Sequence, residues 1–117
     1  MKQIIETLRM WGADIDGTMS RFLDDEEFYI DCLHRFLNDG NLQLLKKAVD
    51  EENRESIFES SHSLKGTVGT LGLVPLYERI SALVEDSRFE LKNNVKQDYD
   101  LFSDTFQEFL RIMKTVS

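Results

Sequence analysis

The sequence is poor in the residues that interrupt helices or cross-link loops. Its 117 residues include one proline and six glycines, so few positions favour a turn. A single cysteine, Cys32, excludes an internal disulfide framework and is compatible with a reducing cytoplasm. No apolar run approaches the roughly 18 residues that a transmembrane helix needs, and the N-terminus lacks the features of a signal peptide. We therefore expect a soluble, cytoplasmic protein.

Basic residues are also scarce, because 14 Lys and Arg stand against 22 Asp and Glu and give a net charge of −8. Binding to nucleic acid or to anionic lipid headgroups requires a basic face. We expect neither nucleic acid nor membrane among the partners, and we interpret the acidic excess as ordinary solvation. Cys32, His34 and His62 do not have metal-ligand spacing, so no metal site is predicted. The chain has no nucleotide-binding motif, so we expect no autonomous kinase or ATPase activity.

Helical periodicity runs through most of the chain. A short first helix is predicted to end at Gly12. A second helix is predicted to be capped by Asp24, to run to Leu37, and to end where Gly40 adopts the left-handed conformation. The later helices are predicted to begin near Asn41, Glu55, Pro75 and Val95.

Each predicted helix has one apolar stripe, and the connections between helices are short. This pattern predicts an all-α fold, an antiparallel up-and-down four-helix bundle with a short extra N-terminal helix. We expect a single domain over residues 1–117, with the core bundle at about 19–116.

The segment 60–72 departs from this plain pattern. Gly66 and Gly69 lie inside a predicted helix, where each glycine costs about 1 kcal/mol relative to Ala. At about 100° per residue, His62, Gly66 and Gly69 fall on one side of the helix, with Lys65 at its border. The opposite sector holds the apolar residues Ile57, Leu64, Val68 and Leu71. We therefore predict an exposed imidazole beside bare helix backbone, which indicates the close approach of a partner.

These residues favour phosphoryl chemistry. A neutral imidazole is a nucleophile near physiological pH. Lys65 lies one helical turn from His62, where its ammonium can contact the oxygens of a phosphoryl group on the ring. Phosphoryl transfer depends mainly on positioning and charge neutralisation, and missing side chains would let donor and acceptor approach.

The run His62-Ser63-Leu64-Lys65-Gly66 resembles the H-x-L-K-G signature of histidine-phosphotransfer (HPt) domains. Small residues and the pair Leu71-Gly72 continue the similarity, and the order of the surrounding helices extends it from about Met19 onward. The resemblance implies a phosphocarrier that accepts a phosphoryl group on His62 and exchanges it with an aspartate of a response-regulator receiver domain.

By the same resemblance, Lys65 stabilises the phosphoryl group, and Gly66 and Gly69 give the receiver access to it. Mg²⁺ belongs to the receiver, so no cofactor is expected in this chain. The implied partners are a receiver domain, a hybrid histidine kinase, or both, and the chain is expected to be monomeric. Two alternatives stay open: the phosphoacceptor domain of a chemotaxis-type histidine kinase, and a non-transferring adaptor that binds receivers.

The chain departs from the family pattern at one position. Many members place a Gln or Glu on the following helix, where it hydrogen-bonds the histidine ring. The aligned residue here is Val84, with Ser81, Glu85 and Arg88 nearby. Glu59, which lies three residues before the histidine, is a further candidate for orienting the ring, and Arg88 is a candidate for binding.

Overall fold

The structure, a computed structural model, describes residues 2–115 and forms seven α-helices over that range, with no strand. The helices are α1 (Gln3–Trp11), α2 (Ile15–Arg21), α3 (Glu26–Leu37), α4 (Gly40–Asp50), α5 (Arg54–Thr70), α6 (Val74–Ser87) and α7 (Val95–Thr115). The predicted end of the bundle at residue 116 lies outside the described residues. The assignment of residues 1–117 to a single domain stays a prediction. Within the described range, no helix combines the length and apolar character needed to cross a bilayer.

The helices form a bundle of four arms, the first of which consists of α3 and α4 in series. α4 packs beside the N-terminal half of α5, and α3 lies beside the C-terminal half, where Tyr29 Oη donates a 2.8 Å hydrogen bond to the Leu71 carbonyl. α6 packs against α5, and α7 packs against α6 and α4. Phe36 of α3 also meets Phe106 and Phe109 of α7, with ring centroids 5.8 Å apart in both pairs. The predicted all-α four-helix bundle is confirmed.

A single core holds the arms together and fixes the rotation of each helix about its own axis. Side chains buried from the different arms include Leu33, Leu45, Leu64, Ile80, Leu83, Phe102 and Phe109. Burial of a side chain of this size contributes about 1.5–3 kcal/mol. In α5 the apolar residues Ile57, Leu64 and Val68 are fully buried, so the opposite side of this helix is directed away from the core.

The predicted cap of α3 was wrong by one residue. Asp25, rather than Asp24, is the N-cap, and its side chain accepts a 3.0 Å hydrogen bond from the backbone N–H of Phe28. Leu23 and Asp24 have φ values of +55° and +58° and complete the turn that leads from α2 into α3. Because Asp24 is used in this turn, the capping role passes to the next carboxylate.

The predicted junction between α3 and α4 was also wrong. Gly40 does not end α3 in a left-handed conformation but is the first residue of α4. Asp39 caps α4 by accepting a 2.9 Å hydrogen bond from the Asn41 N–H, so Asn41 is not the cap. A carboxylate before the first turn is a strong N-cap, and it outweighs the tendency of glycine to terminate the preceding helix.

Helix α2 was not predicted, and it closes the C-terminal end of α5. Its N-cap Asp14 donates its backbone N–H to the Gly72 carbonyl at 2.9 Å. Gly72 has φ +70°, and a Cβ at this position would collide with the side chain of Thr18 on α2. Gly12, by contrast, ends α1 as predicted, and it does so in the left-handed conformation. The α2 contact brings Arg21, the last residue of that helix, to the end of α5.

Two carboxyl groups meet where α6 and α7 pack together. Asp98, in the first turn of α7, is 9% exposed, and its Oδ2 is buried without a hydrogen-bond partner among residues 2–115. Asp86 of α6 faces it and accepts a 2.8 Å hydrogen bond from Asn94 Nδ2. Burial, together with the neighbouring carboxyl of Asp86, raises the pKa of Asp98 to about 7. Protonation of Asp98 therefore removes the repulsion that the two carboxyls would have when both are ionised.

This pair makes the stability of the bundle depend on pH. The folded chain retains the Asp98 proton up to about pH 7, whereas the unfolded chain releases it near 3.8, so the contribution to stability falls as the pH rises between these values. We expect Asp98→Asn to be more stable than the wild type at about pH 8, by on the order of 2 kcal/mol, with the difference shrinking toward about pH 5. Urea unfolding across this range measures it, and a stability difference that does not change with pH would contradict the assignment.

Candidate functional site

His62 lies on the side of α5 that is turned away from the core, and its side chain is exposed. Its ring stacks on that of Phe58, one helical turn earlier, with a centroid distance of 5.6 Å and an interplanar angle of 14°. No hydrogen bond to the imidazole is found within residues 2–115. The geometric expectation of an imidazole in solvent agrees with the structure, and the ring is accessible to a second molecule.

The two glycines after the histidine differ in their surroundings. A Cβ added to Gly66 would meet nothing within 4 Å, so no contact within the described chain explains why this position has no side chain. A Cβ on Gly69 would lie 3.3 Å from Cε2 of Tyr77 on α6. Gly69 is half-buried, and its bare backbone accommodates that ring, which corrects the expectation that it is as exposed as Gly66. Internal packing thus accounts for one glycine and leaves the other open to a partner.

Lys65 is held on the α6 side of the histidine. Its Nζ lies 5.6 Å from the centroid of the Tyr77 ring, within the range of a cation–π contact. Both residues line a shallow pocket of about 460 Å³, together with Arg21, His62, Gly66, Gly69 and Thr70. The structure therefore brings Lys65 and His62 to one cavity, as the helical spacing predicts.

Arg21 is a member of this pocket that the sequence analysis missed. Its Nη2 donates hydrogen bonds to the carbonyls of Gly69 and Thr70, at 3.3 and 3.0 Å, and to Thr18 Oγ1 at 3.2 Å. A guanidinium at the last carbonyls of α5 satisfies groups that have no partner within the helix and complements the helix dipole. The residue was missed because α2 was not predicted, although Asp14 in front of an apolar position is a helix-start signal.

The surroundings of His62 are more basic than the chain as a whole. Arg21 and Lys65 line its pocket, and Arg88 Cζ lies 5.4 Å from the centroid of Phe58, the ring on which the histidine stacks. Arg88 also contacts Glu85 at 2.9 Å, and this hydrogen bond lowers the pKa of the Glu85 carboxyl. In a molecule of net charge −8, the two cations Arg21 and Lys65 in the pocket of an exposed nucleophile favour an anionic group at that position.

None of the residues considered for orienting the imidazole forms a hydrogen bond with it in the described part of the chain. Val84 is fully buried, and the Ser81 hydroxyl donates to the Tyr77 carbonyl at 2.7 Å. Glu85 is paired with Arg88. Glu59 is exposed and lines a different pocket, between α4 and α5. The expectation that Glu59 orients the ring finds no contact to support it, and Arg88 reaches only the neighbouring Phe58.

The remaining candidates for chemistry lie apart from the site. His34 is exposed on α3, and Cys32 is half-buried on the same helix. Over residues 2–115, no group of three or more His, Cys, Asp or Glu side chains could hold a metal ion.

The Hpt domain family model matches residues 31–113 of the chain, which is more than half of it. The chain therefore belongs to the Hpt domain family, a class of histidine phosphotransfer domains of phosphorelays that interact with receiver domains and kinases. The matched region includes α5 together with α4 and α6, which pack against it. No curated protein and no solved structure matches the chain.

The open space at Gly66 gives a test of partner access. Gly66→Ala adds a methyl group that meets nothing in the molecule and removes a glycine from a helix interior, so we expect stability to rise by about 0.5–1 kcal/mol. We expect phosphoryl transfer from a phosphorylated receiver to fall at least about tenfold, because the methyl group lies where the partner must approach. Thermal unfolding and a transfer time course measure the two effects, with Gly40→Ala, also in open space, as the matched control. Unchanged transfer would contradict the access role.

Proposed function

We propose that this chain is a phosphocarrier that accepts a phosphoryl group on His62 and exchanges it with an aspartate of a receiver domain. The observation that carries the proposal is the exposed imidazole next to Gly66. No contact within the described chain explains why this helical position is a glycine. Membership of the Hpt domain family supports the same reaction class.

The transfer step needs only the imidazole from this chain as a reacting group. The lone pair of Nε2, the ring nitrogen farther from the backbone, attacks phosphorus in line with the aspartyl oxygen. The N–P bond forms as the P–O bond of the aspartyl phosphate breaks, and the aspartate leaves as a carboxylate. The ring carries a positive charge until the proton on Nδ1 passes to solvent. The reverse sequence returns the phosphoryl group to a receiver.

The cations of the site stabilise the transferred group. The Lys65 ammonium lines the same pocket as His62 and can contact phosphoryl oxygens once it leaves the Tyr77 ring, and Arg21 adds positive charge to that pocket. The Mg²⁺ that assists such transfers is assigned to the receiver, where carboxylates hold it. We propose likewise that this chain acts as a monomer.

The decisive experiment is incubation of the wild type with a radiolabelled, phosphorylated receiver domain. We expect an acid-labile, base-stable label on the chain and none on His62→Gln. His34→Gln is the matched control, because it removes the chain's other histidine, which is also exposed, and should leave labelling intact. Absence of label on the wild type across several receivers would overturn the carrier function.

The same proteins distinguish a phosphocarrier from the alternative, a non-transferring adaptor. Binding of His62→Gln to the receiver is measured in parallel, by calorimetry or by co-elution. A carrier predicts that docking persists while labelling is lost. An adaptor predicts that docking persists and that even the wild type acquires no label.

Lys65 provides a separate prediction about charge. We expect Lys65→Gln to slow transfer about tenfold or more, because a charge-assisted hydrogen bond contributes about 1.5–3 kcal/mol, whereas Lys65→Arg should lose less. Lys47→Gln, on the exposed face of α4, removes the same charge elsewhere and is the control. Equal rates for the Lys65→Gln and Lys47→Gln variants would show that only net charge matters.

A further inference from the structure

The imidazole of His62 is held by a ring rather than by a hydrogen bond. Phe58 precedes it by four residues on α5, a spacing that places the two side chains on neighbouring turns of one face. The rings are nearly parallel, at 14°, with centroids 5.6 Å apart. Phe58 is half-buried, so its ring is restrained by the protein while the imidazole above it remains exposed.

Phe58 is restrained in turn by α6. The Arg88 guanidinium, just after the last turn of that helix, lies 5.4 Å from the Phe58 centroid, a distance typical of a cation–π contact. Arg88 is itself fixed by its 2.9 Å contact with Glu85. A continuous series of contacts therefore runs from α6 through Arg88 and Phe58 to His62.

Within residues 2–115, these ring contacts restrain the imidazole and no hydrogen bond does. On α6, Val84 is apolar and fully buried, the Ser81 hydroxyl donates to the Tyr77 carbonyl, and Glu85 pairs with Arg88, so none of them hydrogen-bonds the imidazole. An exposed side chain without a hydrogen bond samples several staggered rotamers, and only one of them places Nε2 for in-line attack. Ring stacking restricts that sampling without using either ring nitrogen.

We propose that Phe58 is a positioning residue that holds His62 in the rotamer competent for transfer, and that Arg88 acts through Phe58. The inference rests on the proposed carrier function. It assigns no contact between Phe58 or Arg88 and the phosphoryl group itself. The expected loss on removing the ring is modest, about threefold in transfer rate, because up to three χ1 wells become available.

The test compares Phe58→Leu, which removes the ring, with Phe58→Tyr, which keeps it. Phe89→Leu is the matched control, since Phe89 is 87% exposed and lies outside the stack. In the NMR spectrum we expect the imidazole proton resonances of His62 to lose their ring-current shift in Phe58→Leu and to keep it in Phe58→Tyr. The rate of label transfer should fall in the first variant and recover in the second, with receiver affinity unchanged throughout.

Several outcomes would overturn the positioning role. Unchanged His62 resonances in Phe58→Leu would show that no stack forms in solution. Altered resonances with an unchanged transfer rate would show that the stack has no role in transfer. Absence of label on the wild type would instead overturn the carrier function, so the two failures are distinguishable.

A double-mutant cycle tests the part assigned to Arg88. Arg88→Leu should slow transfer in the wild-type background but add little in the Phe58→Leu background, because its effect passes through the ring. Equal slowing in both backgrounds would show that Arg88 acts independently of Phe58 and would overturn its assignment as a residue that acts through Phe58.

Discussion

The rotation of α5 about its axis is the constraint on which the site depends. Ile57, Leu64 and Val68 are fully buried, and turning the helix by one residue, about 100°, would expose part of this stripe at a cost of several kcal/mol. The same stripe therefore keeps His62 and Gly66 on the open side. The histidine needs no pocket to hold it outward, because packing on the opposite side of the helix does so.

The charged residues that line the pocket are basic, although the whole molecule is acidic. Arg21, Lys65 and Arg88 come from three different helices or their ends, and each has a second contact, to backbone carbonyls, an aromatic ring or a carboxylate. These contacts restrain long side chains that would otherwise lose entropy on binding an anion. The net charge of −8 therefore says little about the site, because the charged residues that line the pocket with His62 are Arg21 and Lys65.

Periodicity predicted the bundle and the exposed side of α5 because both follow from which residues must be buried. The helix ends were harder to predict. Asp24 competes with Asp25, and Asp39 with Gly40, for the position at a helix end, and the local turn decides which residue takes it. Arg21 could not be placed without α2, whose seven residues carry too short a pattern. The i, i+4 spacing of Phe58 and His62 is visible in the sequence, but a phenylalanine in a helix is ordinarily interpreted as a core residue. Only the structure shows that Phe58 is half-buried and stacked against the imidazole.

Stacking and hydrogen bonding restrain a histidine in different ways. A carboxamide or carboxylate that accepts from Nδ1–H fixes both the orientation of the ring and its tautomer. A phenyl ring fixes the plane of the imidazole and leaves the proton free to occupy either nitrogen. For the proposed carrier, this arrangement restrains the plane of the ring while its nitrogens exchange their proton with solvent. Val84 of α6 is apolar and fully buried, so among the described residues the ring of Phe58, and no hydrogen bond, restrains the imidazole.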